Sequence, residues 1–240
     1  MNARAEIFPG LKDDFLNVAP VTVSKKPPTS VSEPDEYAEQ IRGLVRRVFF
    51  PGWPRPARQV VFSAVDEGRD VGGICMKVAR ALEQQTPGTV CVVEASRQGS
   101  ELERAYGGTA DDPVSAVPRT GWLRQSSRQV SDRLWYMPLE AFLGEDQAEL
   151  SASWLHGRMG QLRLDFDYTV VHAAPSGRST EAALLGQVTD GVILVLDAGA
   201  TRRIAAQQSR ATLQTANSRL LGVVLSKRTF PIPEALYRKL

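Results

Sequence analysis

The 240-residue chain predicts an α/β fold, a doubly wound and mostly parallel sheet, on three observations. From Gln59 onward, apolar runs of six to eight residues alternate with helix-length amphipathic patterns. The runs are rich in valine and continuous, as strands buried on both faces are. Polar, glycine-bearing turns such as "VDEGRD" separate the two kinds of segment.

Taken in order, residues 1–33 form an N-terminal tail and linker. "EIFPGLKDDFLNV" reads either as a plain tail or as a short docking segment with an apolar face of Ile7, Phe8, Leu11, Phe15 and Leu16. "APVTVSKKPPTSVSEP" after it has the proline, serine and threonine content of an extended linker. A helix over 35–49 follows, because Tyr37, Ile41, Leu44, Val45 and Val48 recur at helical spacing. "PGWPRPAR" stops it, with four prolines and glycines in eight residues. The strands are "QVVFSA", "TVCVVEA", "RLWYMP", "YTVVHAA", "GVILVLDA" and "LLGVVLS", with helices over about 72–85, 147–163, 179–188 and 201–216 between them. Residues 98–130, polar and arginine-bearing, read as irregular.

Composition narrows the function classes. Apolar residues make up 42% and charged residues 23%, which is ordinary for a soluble folded domain. A net charge of +2 provides no global attraction for nucleic acid, and no nucleic-acid partner is expected. No apolar run nears the roughly 20 residues that span a bilayer, and the acidic N-terminus is not that of a secretory signal. Cys75 and Cys91 sit in apolar segments and read as buried thiols, which fits a reducing compartment and a cytoplasmic location. His172 and His156 are the only histidines and no Cys/His spacing accompanies them, so no metal site is expected. His172 reads as a hydrogen-bonded core or rim residue.

The stretch "VFSAVDEGRDVGGICMKVARAL" runs strand, glycine turn, helix, which is the layout of a phosphate-binding loop. Such a loop turns backbone N–H groups toward phosphates, while a lysine bridges the terminal phosphates and a Ser/Thr hydroxyl holds magnesium. Around this loop, the chain from about Pro34 to Arg228 resembles the cytoplasmic ATPase module of the bacterial tyrosine kinases of exopolysaccharide and capsule synthesis, P-loop NTPase-like relatives of ParA and MinD. "VDEGRDVGGICMKVARAL" lies over a "PGEGKST"-like loop with Gly68 on its first glycine. "TVCVVEAS" lies over the second strand, "FDYTVVHAAPSG" over the strand ending in "DTPP", "TDGVILVLDAGATRR" over the next, and "LLGVVLSKR" over the last. "LWYMPLEAFLGEDQAEL" also matches the family's strand, loop and helix. The resemblance implies a P-loop-like domain over 34–230, including the helix, and a C-terminal tail over 231–240.

Within that resemblance the departures fall on the chemistry. Val71 takes the lysine position, Gly72 the Ser/Thr position, and Asp70 the glycine before the lysine. Glu94 stands for the second-strand aspartate, His172 for the aspartate of "DTPP", and Ser226 for the asparagine near the adenine. Losing the lysine removes charge-assisted hydrogen bonds of about 1.5–3 kcal/mol each. Asp70 sets a carboxylate beside a polyanion, and neither Gly72 nor a neutral His172 suits magnesium. The expectation is a pseudokinase or pseudo-ATPase with no catalytic residue and no cofactor, although Gly72, Gly73 and Ile74 begin a helix whose N–H groups leave weak ATP or ADP binding open. Arg69 is expected to pair with Asp70 or stay solvated, and Lys77 to lie too far along the helix to reach the loop. Glu94 and Asp66 read as solvated loop acids, with a carboxylate pair as the sharper alternative. "TRR" and "SKR" (Thr201–Arg203, Ser226–Arg228) read as solvated ends or as a basic rim facing an anionic leaflet.

The resemblance also implies partners: a membrane polysaccharide co-polymerase, an active kinase of the same system, or copies of the chain itself. Attachment to the inner membrane would then be peripheral, through the partner. The family's N-terminal helix packs between subunits through a spaced Glu-Arg-Arg pattern; Glu36, Glu39, Arg42 and Arg46 are similar in kind here, with Glu39 standing where the first arginine would be. The C-terminus "RTFPIPEALYRKL" carries one tyrosine, Tyr237, in place of the family's tyrosine-rich tail, and reads as a short docking helix. Two alternatives stand beside the pseudokinase: a divergent but active ATPase or autokinase, and a MinD- or ParA-like positioning protein.

Overall fold

The computed structural model describes residues 33–50, 56–97, 101–106, 122–144 and 151–226. Helix α1 (Glu33–Phe49) precedes β1 (Gln59–Ala64), α2 (Val71–Gln85) and β2 (Val90–Glu94). Then come α3 (Glu101–Tyr106), α4 (Trp122–Gln125), β3 (Arg128–Ser131), β4 (Leu134–Met137), α5 (Leu139–Leu143) and α6 (Ala152–Asp165). The chain closes with β5 (Tyr168–His172), α7 (Glu181–Val188), β6 (Gly191–Asp197), α8 (Arg203–Thr215) and β7 (Leu220–Ser226). The expected tails, apart from Glu33 at the start of α1, lie outside the described residues.

The seven strands form one sheet in the order β3-β4-β2-β5-β1-β6-β7. All neighbours run parallel except the β3–β4 pair at one edge. The central strands are almost wholly buried because helices cover both faces. Successive side chains of a strand point to opposite faces, so β1 sends Val60 and Phe62 into one core and Val61 into the other. The first core lies under α1, α2 and α3, with Phe49, Ile74, Val78 and Leu82 in it. The second lies under α6, α7 and α8, with Leu155, Leu185 and Leu213.

Residues 98–130 depart from the irregular reading. The described part contains α3, α4 and most of β3. β3 escapes a periodicity search because it is an edge strand whose residues alternate between half-buried and exposed, and Val130 is its only apolar residue. Its partner β4, fully buried, is the strand read from "RLWYMP". Cys75 and Cys91 are free and buried, and burial pushes both thiols well above their ordinary range.

Candidate nucleotide-loop site

Parallel α/β sheets bind ligands beyond the carboxyl ends of their strands, and the residues singled out above gather there. β1 ends at Ala64, and the chain turns through Val65–Asp70 into α2. Gly68 has φ +70°, a left-handed conformation that glycine adopts without strain. The turn "AAPSG" after β5 braces this loop from behind. Ser176 donates from both its N–H and its hydroxyl to the Ala64 carbonyl, at 2.8 and 3.0 Å. Gly177 donates to Val65 at 3.2 Å, and a Cβ on it would lie 2.5 Å from the Val65 oxygen, so the close approach requires glycine.

Asp70 is the N-cap of α2, and its carboxylate accepts from the Gly73 N–H at 2.7 Å. Any side chain on Gly73 would run into those carboxylate oxygens. An acidic N-cap is favourable because it satisfies an otherwise unpaired donor and faces the positive end of the helix dipole. The same carboxylate sits on an amide that a phosphate would use. Val71, in the lysine position, is buried in the first core. Gly72 is covered by α3: a Cβ there would be 2.9 Å from Leu102 Cγ. Lys77 points away, its ammonium 4.7 Å from the centre of the Tyr37 ring on α1.

Arg69 corrects the expectation of a pair with Asp70 or a solvated side chain. Its guanidinium reaches to the carboxylate of Asp197, at the end of β6, and the two form a partly buried ion pair. The link spans 128 positions and depends on β1 and β6 being neighbours. Asp197 is 5% exposed.

Glu94 is also no solvated loop acid. It ends β2, is 0% exposed, and lies opposite His172 in the parallel ladder with β5. His172 Nδ1 is 2.8 Å from Oε1 and 3.0 Å from Oε2 of Glu94. The Ser96 N–H adds a bond to Oε1 at 3.0 Å. His172 is 8% exposed, in keeping with a hydrogen-bonded core or rim residue. Asp66 is not joined to Glu94; it stays half-buried at the start of the loop.

Other candidates fall elsewhere. Ser226 pairs with Asp197 across β6 and β7, at the same end of the sheet. Glu39 takes Arg42 at 2.7 Å and Arg46 at 3.6 Å within α1, and Arg46 also donates to Gln85 of α2 at 3.1 Å. Arg42 holds the Glu39 carboxyl below the ordinary range. The Glu36 side chain lies outside the described residues, as do Lys227, Arg228 and Tyr237. Arg202 and Arg203 are exposed at the start of α8, and His156 is exposed on α6. Among the described residues, no group of three His, Cys, Asp or Glu could hold a metal, and no helix is long and apolar enough to cross a membrane.

Val71 and Gly72 bring neither an ammonium group nor a hydroxyl to the loop, the groups with which a triphosphate and its magnesium ion are held. The helix amide holds a carboxylate, the lysine position is apolar, and the second-strand acid is closed by an imidazole. Asp197 and Leu102 were missed in the sequence. Asp197 had a signal, because it ends an apolar run in the same way that Glu94 and His172 end theirs.

No family model matches the chain. It is 29% identical to the tyrosine-protein kinase YwqD of Bacillus subtilis over 193 residues, 79% of this chain and 80% of that one. It is 26% identical to the tyrosine-protein kinase CpsD of Streptococcus agalactiae over 95 residues, 40% of this chain, and so spans about 41% of the length of that relative. Its relatives are bacterial tyrosine-protein kinases. The fold agrees. The kinase domain of the Escherichia coli tyrosine kinase ETK superposes with a TM-score of 0.64 at 10% identity, covering 92% of this chain and 90% of that domain. A ParA family ATPase from Chlorobium tepidum superposes with a TM-score of 0.54 at 15% identity, over 70% of this chain and 72% of that one. The sheet is thus that of the P-loop ATPases of the ParA type, and the departures in its loop are set within a kinase-like frame.

Proposed function

We propose that the protein is a catalytically silent relative of the tyrosine-kinase module of exopolysaccharide and capsule synthesis, acting as a regulatory or scaffold subunit through protein contacts. One observation supports the reading: the loop amide and the second-strand acid are both paired with side chains of the chain itself. Asp70 takes the place of a phosphate oxygen on the Gly73 amide, and the His172 imidazole faces Glu94 from the strand position of a metal-binding acid. The site is neutralised from within. A buried carboxylate paired in this way needs no metal, and a capped helix has less to gain from an anion.

Such a domain keeps the folded shape of a loaded ATPase without a turnover cycle. It would offer helix faces, α1 among them, to a polysaccharide co-polymerase of the membrane, to an active kinase of the same system, or to a second copy. Membrane attachment would follow from the partner. Calorimetry with ATP and ADP, with and without magnesium, together with a phosphate-release assay, tests this. The expected result is no turnover and no saturable heat at micromolar nucleotide. Magnesium-dependent micromolar binding with phosphate release would remove the proposal and favour an active, divergent autokinase.

A further inference from the structure

The two edges of the sheet are finished differently. β3, at one edge, is four residues long, begins with Arg128 and shifts register between Gln129 and Ser131. Ser131 donates to Glu83 at 2.6 Å, and the same carboxylate takes the Arg133 N–H at 3.1 Å. A short, irregular, polar edge of this kind resists pairing with a further strand. β7, at the other edge, runs for seven residues, "LLGVVLS", with no charge and no proline. Among the described residues β6 is its only neighbour in the sheet.

Val223 and Leu225 lie in register with Leu194 and Leu196 of β6, whose side chains belong to the second core's face. They carry that apolar face out to the rim, where they are 42% and 57% exposed. A Cβ on Gly222 would meet nothing among the described residues within 4 Å. The backbone is open at the same two positions. Along a strand, one residue turns its N–H and C=O to one side and the next residue to the other. The Ser226 carbonyl accepts from the Ala198 N–H at 2.9 Å, so Ser226 and Val224 face β6. Val223 and Leu225 therefore turn their N–H and C=O groups outward. A long apolar edge with free backbone groups is a template for one more strand.

The chain continuing from Ser226, "KRTFPIPEALYRKL", lies outside the described residues, and its order of residues matches that edge. Phe230 and Ile232 alternate with Pro231 and Pro233. In an extended strand both prolines fall on one side, and the N–H groups of Phe230 and Ile232 point to the other. Proline is tolerated in a sheet where its missing N–H faces outward. Such a strand bonds to its neighbour through Phe230 and Ile232 and ends the sheet with its prolines.

We propose that residues 229–233 return along β7 as an antiparallel eighth strand, with Phe230 opposite Leu225 and Ile232 opposite Val223. Each pair exchanges two N–H···O bonds and sets an apolar side chain beside an exposed one. Residues 226–229 make the connection, and four is a common hairpin length. Pro231 then lies across from Val224 and Pro233 across from Gly222, with both ring nitrogens outward. A slip of one residue would aim both prolines at β7, so the sequence selects this register. This part of the C-terminus is then a strand rather than the docking helix read for it. The assignment holds whether or not the nucleotide loop is silent.

Hydrogen exchange of the full chain, followed residue by residue by NMR, tests it. The Val223 and Leu225 amides exchange about tenfold or more slowly than in a free peptide. Ile232→Pro removes a donor that faces β7 and speeds both by about tenfold. Phe230→Ser, which keeps every N–H and loses only the side-chain contact, speeds them about threefold. Pro231→Ala and Pro233→Ala, on the outer side, leave them within about twofold. The Val171 amide at the centre of the sheet keeps its rate throughout, because residues 229–233 add to the rim and not to the core. Free-peptide rates in the parent, or an equal response to substitutions on the two sides of the segment, would overturn the assignment. So would protection that rises with protein concentration, which would put a second copy on the edge.

Discussion

Where the strands of the sheet begin, Asp190 accepts from the N–H groups of Arg58 and Gln59 at 2.7 and 2.8 Å and pairs with Arg163 at 3.0 Å. Gln59 extends this clamp, taking Arg163 Nε at 2.7 Å and donating to the Met159 carbonyl at 3.0 Å. Where the strands end, Asp70 accepts from Gly73, His172 faces Glu94, and Arg69 faces Asp197. The chemistry at the two ends is alike: charged side chains satisfied by other parts of the chain. The positions are not. The lower clamp ties β1, α6 and the start of β6 together at an end where parallel sheets hold no ligand. The upper pairs stand where ligands are held. Internal pairing below is ordinary structural support, whereas under the proposed function the same pairing above stands in for a ligand.

Disturbing each end separately would test that distinction. The largest effect is expected from His172→Leu, which leaves the fully buried Glu94 carboxylate without its imidazole. Urea unfolding should show a loss of about 3–5 kcal/mol, the usual result of removing one partner of a buried pair; a loss near zero would mean the pair is not what closes the site. Asp190→Ala comes next, at about 2 kcal/mol for charge-assisted bonds at a partly exposed site, with the response to nucleotide unchanged. Asp70→Ala removes a helix cap at a cost of about 1 kcal/mol. Unlike the change at Asp190, it should also bring anion affinity: inorganic phosphate then shifts the Gly73 amide resonance, which it does not do in the parent protein. Equal behaviour of the two variants toward phosphate would erase the contrast between the ends.

The smallest effect concerns pH. Burial raises the Glu181 carboxyl above the ordinary range, against the opposing pull of Arg97 at 3.8 Å and a hydrogen bond from Ser179. Its contribution to stability is therefore complete below the carboxylate range of the unfolded chain and lost as pH rises through the folded value. Glu181→Gln keeps the neutral form, so the variant should gain about 0.5 kcal/mol or less at pH 7. Unfolding curves should converge with the parent's below about pH 4.

The parallel strands were legible because burial on both faces writes a continuous apolar run, as in "QVVFSA" and "GVILVLD". α2 was legible from Ile74, Cys75, Val78 and Leu82, which recur with helical period on its buried side. β3 was not, since an edge strand in "RQVS" has one apolar residue and no period to detect. At the site, the residue types at the loop were readable one by one, but their partners were not. Asp70 was read as a charge repelling phosphate, while its distance of three residues from Gly73 also marks an N-cap. Arg69 was expected beside Asp70 because local pairs are all a linear sequence suggests; Asp197 becomes its partner only once β6 lies next to β1. Glu94 and His172 meet for the same reason, 78 positions apart on adjoining strands.

The Gly73 amide is the atom on which the account turns. Followed by ¹H–¹⁵N correlation spectra while Mg-ATP is added to the intact protein, its resonance should stay in place into the millimolar range, held by the Asp70 carboxylate. A saturable shift of Gly73 and Gly72 at micromolar Mg-ATP would show phosphate displacing that carboxylate, and would contradict a site closed from within.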